Sequence, residues 1–288
     1  MSDVSLQDFL TGGARLRAGL APRLFHLNRP EHREALAALV KENAMSFVVD
    51  DYEEQLREYY GVLHPADIFK PSFASEAREY IETLKKNGVL HEHGVWVYYP
   101  WNATLVHILD DKEFQMVRTA RNKLLITSEE QAMYYNAVVG IAGLSVGNSC
   151  ALAIALQGGA RRLRLADFDL LALSNLNRIR AGVDALGLNK VVMTMRQIYL
   201  LNPYAEIEAF PDGLNEGNID RFFESPPKLD IVVDEIDNLA IKFLIRERAQ
   251  KLRLPVVMAA DNGDDGVVDV ERYDLDQNTP FFHGRMGN

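Results

Sequence analysis

The sequence predicts an α/β protein built on a wound, mainly parallel sheet with helices on both faces, preceded by a smaller α+β N-terminal region. Beyond residue 112 the pattern alternates strand and helix, which is typical of parallel strands joined by right-handed crossovers. The segment Leu229–Asp234 is an almost continuous apolar run, as a central parallel strand requires. Residues 1–112 lack this alternation, so we predict two regions, 1–112 and 113–288.

Composition limits the class of protein. A chain of 288 residues, 48% of them hydrophobic, can bury a sizeable core. The net charge of −10 argues against general affinity for DNA or RNA, which requires a basic surplus. Because Cys150 is the single cysteine, we expect no internal disulfide and no structural zinc. The sequence has neither a leader pattern nor a stretch of about 18 apolar residues, so we expect a soluble, cytoplasmic protein without a membrane partner.

In the N-terminal region the pattern indicates helices first and strands later. Between about Pro30 and Tyr60, apolar residues recur at helical spacing, which predicts amphipathic helices. Another helix is predicted over Ser75–Lys86. The segments Gly94–Pro100 and Thr104–Leu109 are rich in β-branched and aromatic residues and are separated by turn formers, which predicts two strands. No chemistry can be attached to this region.

In the C-terminal region short apolar runs bounded by turn formers predict strands, and longer segments with helical spacing predict helices. In chain order these are strand Asn136–Gly140, helix Ser149–Gln157, strand Arg162–Asp167, helix Lys190–Leu201, strand Ala205–Phe210, strand Leu229–Asp234, helix Asn238–Lys251, strand Val256–Ala260 and strand Gly266–Tyr273. The last segment alternates apolar and polar residues, so we predict that it joins the sheet as an antiparallel strand.

The first of these strands runs into a turn of small residues, Gly140-Ile-Ala-Gly-Leu-Ser-Val-Gly147, before a helix. Such a turn lets the backbone approach phosphate groups and aims the helix N-terminus at their negative charge. This arrangement is Rossmann-like. Against the dinucleotide pattern G-x-G-x-x-G, however, only Gly140 matches, because Ala142 and Ser145 occupy the other two positions. A tight structural turn is the alternative.

Polar residues follow the second strand of this region at its carboxyl end, where wound sheets bind ligands. Asp167 stands where an acidic residue accepts hydrogen bonds from a nucleotide ribose, and Asp169 follows it. In the loop beyond, Arg178 has the forked geometry that pairs with phosphate, and Lys190 brings a point charge at the head of the next helix. The alternative is that both cations are ordinary surface charges.

Two carboxylates follow the predicted strand Leu229–Asp234. Mg²⁺ in nucleotide sites is usually held through one or two carboxylates and the phosphates, which makes Asp234 and Asp237 candidate ligands. Capping of the next helix by Asp237 is the alternative, since acidic residues are common ahead of a helix.

Several separate motifs together resemble the ThiF/MoeB and ubiquitin-activating-enzyme superfamily. The resemblance runs from about Val117 to Tyr273, and the motifs agree in order and spacing, which is far more specific than a glycine turn. They are Asp167-Phe-Asp169, Ser174-Asn-Leu-Asn-Arg178, Gly187-Leu-Asn-Lys190, Asn202-Pro203, Asp234-Glu-Ile-Asp-Asn238 and Pro255-Val-Val-Met-Ala-Ala260.

The resemblance implies an adenylyltransferase that uses ATP and Mg²⁺. In the family a carboxylate attacks the α-phosphate of ATP to give an acyl-adenylate and pyrophosphate. That carboxylate belongs to a ubiquitin-like or sulfur-carrier protein, a peptide or a small molecule. The implied catalytic residues are Arg178, Lys190, Arg121 and Asp237, the last as the Mg²⁺ ligand. The implied nucleotide-binding residues are Gly140, Ala142, Gly143, Ser145, Asp167 at the ribose, Asp169, Asn175 and Arg178 at the triphosphate, and Lys190 at the reacting phosphate.

Arg121 enters this set from a motif ahead of the glycine turn. Arg118-Thr-Ala-Arg121-Asn122 occupies the place of the family's Arg-x-x-Arg-Gln, whose second arginine reaches the ATP site of the partner subunit. The resemblance therefore implies a homodimer in which Arg121 acts across the interface. Two arginines on one amphipathic helix are the alternative.

The chain departs from the family in its turn and its cysteines. The usual turn is G-x-G-G-x-G, whereas this chain keeps only Gly140 and Gly143, and Ser145 brings a Cβ to a close-packed position. No cysteine lies in the C-terminal third, so we expect no thioester transfer. The chain also stops soon after the last predicted strand, where many relatives continue, and truncation at the C-terminus is one interpretation.

Two other functions compete with the active enzyme. One is a catalytically weak or inactive nucleotide-binding partner subunit of such an enzyme. Arg178, Lys190 and Asp237 favour the enzyme, because inactive subunits of the family typically lose several of these residues. The other is a dinucleotide-dependent oxidoreductase, which requires the complete G-x-G-x-x-G that this chain lacks.

Overall fold

The computed structural model of the chain describes residues 19–285 and divides into two compact units, Met1–Arg121 and Asn122–Asn288. The N-terminal residues on which the expectation of no leader rests, and the last three residues of the chain, lie outside the described range. The boundary predicted after residue 112 falls inside the first unit. None of the helices between residues 19 and 285 has the length and apolar character needed to span a bilayer.

The first unit contains a four-stranded mixed sheet and four α-helices among its described residues. In chain order the elements are β1 (Arg23–Phe25), α1 (Pro30–Lys41), β2 (Phe47–Asp50), α2 (Tyr52–Leu63), α3 (Phe73–Lys86), β3 (Val95–Tyr99), β4 (Thr104–Ile108) and α4 (Asp111–Arg118). The sheet order is β1-β3-β4-β2, with β3 antiparallel to both neighbours and β2 parallel to β4. The structure thus confirms β3 and β4 as the predicted pair of strands.

The region predicted to be helical from Pro30 to Tyr60 also contains a strand, which corrects the prediction. β2 separates α1 from α2, because its Phe-Val-Val run pairs with β4 from the far end of the unit. Aromatic and β-branched residues favour an extended backbone, and here pairing across the sheet overrides the local helical spacing. β1 was not predicted, since three residues are too few to show a period.

The second unit contains the predicted wound sheet. Its elements are α5 (Ser128–Asn136), β5 (Val138–Ala142), α6 (Gly147–Leu156), β6 (Arg162–Ala166), α7 (Lys190–Leu201), β7 (Glu206–Phe210), α8 (Ile219–Glu224), β8 (Ile231–Asp234), α9 (Leu239–Leu252), β9 (Pro255–Asn262) and β10 (Asp265–Arg272). The sheet order is β10-β9-β8-β5-β6-β7, and all neighbours are parallel except the antiparallel pair β9 and β10. The predicted fold class and the antiparallel last strand are both confirmed.

Helices cover both faces of this sheet. Successive residues of a strand point to opposite faces. A Cβ on Gly140 would lie 2.8 Å from the ring of Phe222 in α8, whereas the next residue, Ile141, lies against Gly147 of α6. Helix α6 contacts α7, and α8 contacts α9. The core on the α8–α9 side is formed by buried apolar residues that include Phe222, Phe223 and Ile245.

The strand order places the winding reversal between β5 and β8. From β5 the chain winds outward through β6 and β7, and then returns to β8 on the other side of β5. The helices that follow β5 and β8 lie on opposite faces of the sheet, which is the arrangement of a topological switch point. Ligands of wound sheets bind at this switch point.

Candidate functional site

The glycine turn begins later than the sequence predicted. Strand β5 continues to Ala142 instead of ending at Gly140, so both of these predicted site residues are buried strand residues. Packing requires glycine at position 140, because a Cβ there would approach Leu229 and Phe222 to within 2.9 Å. The turn proper runs from Gly143 to Val146, and α6 starts at Gly147.

Gly143 is the position in the turn that requires glycine. Its φ is +86°, and a Cβ built there would overlap the carbonyl oxygen of Glu235 in the loop after β8. Its N–H donates to the carbonyl of Ala166 at the end of β6, over 2.8 Å. Ser145, in contrast, is not among the residues with positive φ. The departure from the family's glycine pattern therefore falls where the backbone accepts a side chain.

Asp167 joins the glycine turn to the loop after β6. Its Oδ2 accepts from the N–H of Leu144 and its Oδ1 accepts from the N–H of Asp169, both over 2.7 Å. The side chain is 8% exposed. A carboxylate held by two backbone donors has a fixed orientation, at the carboxyl end of β6.

Lys190 lies beside the same carboxylates. Its Nζ is 2.6 Å from Oδ2 of Asp169 and 3.9 Å from Oδ2 of Asp167, and its side chain is 5% exposed. Asn189 fixes this position, because its side chain accepts from the N–H of Val191 and so caps α7. The backbone N–H of Lys190 also donates to the carbonyl of Asp169, over 2.9 Å. Asn189 was not singled out from sequence, although an asparagine ahead of a helix is a known cap signal.

Asn175 and Arg178 lie on the exposed side of the loop between β6 and α7. Asn175 accepts the N–H of Ala172 on its Oδ1, which shapes the loop. The Arg178 guanidinium donates only to neutral oxygens nearby, the carbonyl of Ser174 at 3.2 Å and Oδ1 of Asn177 at 3.0 Å. The structure gives this guanidinium no carboxylate partner among the described residues. It keeps its charge available for an anion.

Of the two candidate Mg²⁺ ligands, only Asp237 is accessible. Asp234 is fully buried, and its Oδ2 lies 2.5 Å from the Arg246 guanidinium. It is therefore an ion-pair partner inside the protein and is not open to a Mg²⁺ ion. Asp237 is exposed. It does not cap α9, because Asn238 is the capping residue and accepts from the N–H of Ile241. The capping alternative for Asp237 is therefore wrong.

Asp237 lines a pocket of about 460 Å³ between the loop after β8 and strand β9. Asp167, Arg178 and Lys190 are not in its lining. The predicted residues thus fall into two groups, one around Asp167 and Lys190 and one around Asp237. The glycine turn contacts both, because Leu144 donates to Asp167 and Gly143 closely approaches Glu235 in the loop that carries Asp237. Within residues 19–285, no three His, Cys, Asp or Glu side chains form a metal-binding group.

Arg121 is exposed and belongs to a short 3₁₀ segment, Ala120–Leu124. Helix α4 ends at Arg118, so the two arginines do not lie on one α-helix as the alternative required. The neighbouring Asn122 anchors the following chain, because its amide donates to Gln131 at 2.8 Å and to the carbonyl of Gln157 at 2.9 Å.

Glu235 is a site residue that the sequence reasoning missed. It lies between the two aspartates of the Asp-Glu-Ile-Asp motif, lines the pocket and is half-buried. Burial raises the pKa of Glu235 to about 7, against the lowering effect of the Ala259 N–H, which donates to its Oε1 over 3.0 Å. The sequence did contain a signal for Glu235, because a charged residue directly after a buried strand lies at the edge of the sheet where ligands bind.

Comparison with known proteins found a family match and several relatives. The sequence matches the ThiF family over residues 119–283. It is 43% identical to the uncharacterized protein MT1398 of Mycobacterium tuberculosis, over 69% of this chain and 27% of that protein. It is 30% identical to the sulfur carrier protein adenylyltransferase of Thermus thermophilus, over 52% of this chain and 51% of that protein.

Among solved structures, the E. coli tRNA N6-threonylcarbamoyladenosine dehydratase TcdA in complex with ATP is similar, with a TM-score of 0.47 and 23% identity over 51% of this chain and 60% of that one. The chain spans about half, or less, of the length of the two curated relatives. The family match nevertheless covers more than half of the present chain. This chain belongs to the ThiF family.

Proposed function

We propose that this protein binds ATP and transfers its adenylyl group to a carboxylate, giving an acyl-adenylate and pyrophosphate. The observation that carries the proposal is the group formed by Asp167, Asp169 and Lys190 beside the glycine turn. A buried ammonium lies 2.6 Å from one carboxylate and 3.9 Å from the other, at the carboxyl end of the sheet. Phosphoryl chemistry needs positioned charge more than covalent help, and this group supplies it.

Each predicted residue has a role in this proposal. Asp167 accepts hydrogen bonds from the ribose, and Asp169 holds the Lys190 ammonium until a phosphate oxygen takes its place. Arg178 and Asn175 contact the triphosphate from the exposed loop. The turn from Gly143 to Ser145 supports Asp167 through the Leu144 N–H and leads into the N-terminus of α6, which attracts the phosphates, while Gly140 and Ala142 act indirectly, from within the strand behind the turn.

Asp237 suits the role of Mg²⁺ ligand. Its carboxylate is exposed, follows the carboxyl end of β8 and is not consumed by helix capping. Mg²⁺ in nucleotide sites takes one or two protein carboxylates and completes its coordination with phosphates and water. When bound, the ion neutralises phosphate charge. The residues of this chain then have to orient the nucleotide and the attacking carboxylate.

The substrate we propose is the C-terminal carboxylate of a protein or peptide. The Thermus thermophilus relative is named as acting on a sulfur carrier protein. The retained Arg178, Lys190 and Asp237 support an active enzyme over an inactive partner subunit. We further propose a homodimer, in which exposed Arg121 of one subunit reaches the ATP site of the other.

The test is exchange of labelled pyrophosphate into ATP, together with calorimetric titration of Mg-ATP. We expect Mg-ATP to bind, and exchange to appear only when a carboxylate substrate is supplied. Lys190→Met should lower exchange by about 100-fold or more, because the charge on the reacting phosphate is lost. The matched control is Lys228→Met, a change of an exposed lysine outside the site. Absence of Mg-ATP binding would refute the proposal, and binding without exchange would favour the inactive subunit.

A further inference from the structure

The loop that carries Arg178 is attached to α7 at two successive helical turns. Ile179, the next residue, is buried in an apolar cluster that includes Met193 of α7. One turn further along the same face of the helix, the side chain of Gln197 donates from its Nε2 to the carbonyl of Arg180. The two residues that directly follow Arg178 are therefore both held by α7.

The side chain of Gln197 is oriented by Asn148 of α6. A carbonyl only accepts hydrogen bonds, so Gln197 has to turn its amide nitrogen to Arg180 and its Oε1 away from it. That Oε1 accepts from Nδ2 of Asn148 over 2.8 Å, and the same Nδ2 donates to Oγ1 of Thr194 over 2.9 Å. Asn148 is the second residue of α6, directly after the glycine turn. A chain of hydrogen bonds thus leads from this turn through α7 to the loop of Arg178.

Asn148 takes part in this chain although its amide is only partly satisfied. Asn148 and Thr194 are fully buried, and among the described residues Oδ1 of Asn148 has no hydrogen-bond partner. A buried acceptor without a partner lowers stability, so stability does not explain an asparagine at this position. What Asn148 provides is a pair of donors that fix the amide of Gln197.

We infer that Gln197, oriented by Asn148, is a positioning residue for Arg178. The inference rests on the proposed adenylation, in which Arg178 contacts the triphosphate. The Arg178 guanidinium donates to two oxygens of its own loop, so its place follows the backbone of that loop. By holding the carbonyl of Arg180, Gln197 restricts this backbone before the nucleotide arrives, and less conformational freedom is lost on binding.

A double-mutant cycle, measured by calorimetric titration of Mg-ATP, tests this role. Arg178→Met should weaken Mg-ATP binding about tenfold. Gln197→Met keeps a side chain of similar length that cannot donate, and it should weaken binding about fivefold. In the Arg178→Met background, Gln197→Met should change affinity by about twofold or less, because a positioning residue acts only through the residue that it positions. A residue that only supports the fold would have the same effect in both backgrounds.

Gln250→Met is the matched control. Gln250 lies on α9 and donates from its Nε2 to the carbonyl of Thr279, over 3.3 Å, outside the proposed nucleotide site. This variant should bind Mg-ATP as wild type does. AMP lacks the β- and γ-phosphates, so Gln197→Met should bind AMP within about twofold of wild type if its fold is intact.

Limited digestion with trypsin, followed by mass spectrometry, measures the loop without any nucleotide. Cleavage after Arg178 and after Arg180 should be about fivefold faster in Gln197→Met than in wild type, because the loop opens locally more often. Gln250→Met should leave the rates at these two sites unchanged. Faster cleavage of Gln197→Met along the whole chain would show a general loss of stability and would overturn the inference.

The inference and the proposed function fail in different ways. If wild type binds Mg-ATP, the inference is overturned by an unchanged affinity of Gln197→Met, by additive losses in the cycle, or by an equal loss of AMP binding. If wild type does not bind Mg-ATP, the proposed function is refuted. The digestion then still shows whether Gln197 holds the loop.

Discussion

At the scale of single residues, the glycine turn depends on one position. Gly143 combines a φ of +86° with a backbone approach to Glu235 that leaves no room for a Cβ. Gly143→Ala should therefore destabilise the fold by about 3 kcal/mol, through backbone strain and displacement of the loop after β8. Urea unfolding followed by circular dichroism measures this change.

Ser145 provides the matched control within the same turn. Its backbone does not have a positive φ, so Ser145→Gly relieves no strain and should change stability by about 1 kcal/mol or less. Equal losses of unfolding free energy in Gly143→Ala and Ser145→Gly would show that the backbone of the turn does not require glycine specifically at position 143. The comparison thus sets a glycine that the chain keeps against a position where it departs from the family pattern.

Glu235 makes stability depend on pH. Its pKa in the folded protein is about 7, above the ordinary value near 4.5, so the folded state binds this proton more tightly than the unfolded chain does. The stabilisation from the bound proton is complete below about pH 4.5 and is lost as the pH rises through about 7. Glu235→Gln removes that loss.

We therefore expect Glu235→Gln to gain about 1–2 kcal/mol over wild type at pH 8 relative to pH 5, a value reduced for the partial exposure of the side chain. The measurement is the free energy of unfolding at both pH values. Glu224→Gln, on the exposed end of α8, should show no such difference. If the unfolding free energy of Glu235→Gln changed with pH as much as that of wild type, the titrating group would be another residue.

At the scale of elements, buried charges attach α9 to the sheet. Arg246 of α9 pairs with Asp234 at the end of β8 and with Glu271 of β10, and all three side chains are almost completely buried. The phenol of Tyr273 donates to the same Glu271 over 2.7 Å, and the Arg246 guanidinium lies 3.8 Å from the ring centroid of Phe282. One helix is thereby held against two strands that are not neighbours in the sheet.

Arg246→Met should cost about 3–5 kcal/mol of unfolding free energy, because it leaves the buried Glu271 without its cation and Asp234 with Lys242 alone. Arg248→Met on the same helix removes a surface pair with Asp220 and should cost about 1 kcal/mol or less. Denaturant unfolding of both variants gives the comparison. Similar small losses for both would mean that water reaches Asp234 and Glu271.

At the scale of the whole molecule, the proposed homodimer makes activity depend on two subunits. Arg121→Ala and Lys190→Met should each be inactive alone. In a mixed dimer, the site that keeps Lys190 receives Arg121 from the other subunit, so one of its two sites is complete. Mixing the two variants in equal amounts should then restore roughly a quarter of wild-type exchange activity. No recovery after subunit exchange, confirmed with differently tagged chains, would place Arg121 outside the partner's site.

The sequence predicted the second unit better than the first. Most of its strands and helices are regular and local. The errors there are displaced ends, such as the extension of β5 to Ala142, and two short helices that were not predicted, α5 and α8. In the first unit β2 depends on pairing with β4, more than fifty residues later in the chain, and helical spacing hid it. Hydrophobic periodicity along the chain indicates which face of a helix or strand is buried, but it does not indicate which distant strand a segment pairs with.

The sequence by itself determined the wound sheet, the family and the identity of the residues at the strand ends, because these follow from local periodicity and short motifs. Only the tertiary structure decided which of them are accessible. Asp234 and Asp237 are equivalent in the motif, yet a buried arginine twelve residues on neutralises Asp234 and leaves Asp237 exposed. The pocket and the raised pKa of Glu235 arise in the same way, because burial and charge pairing depend on residues that meet only in the fold.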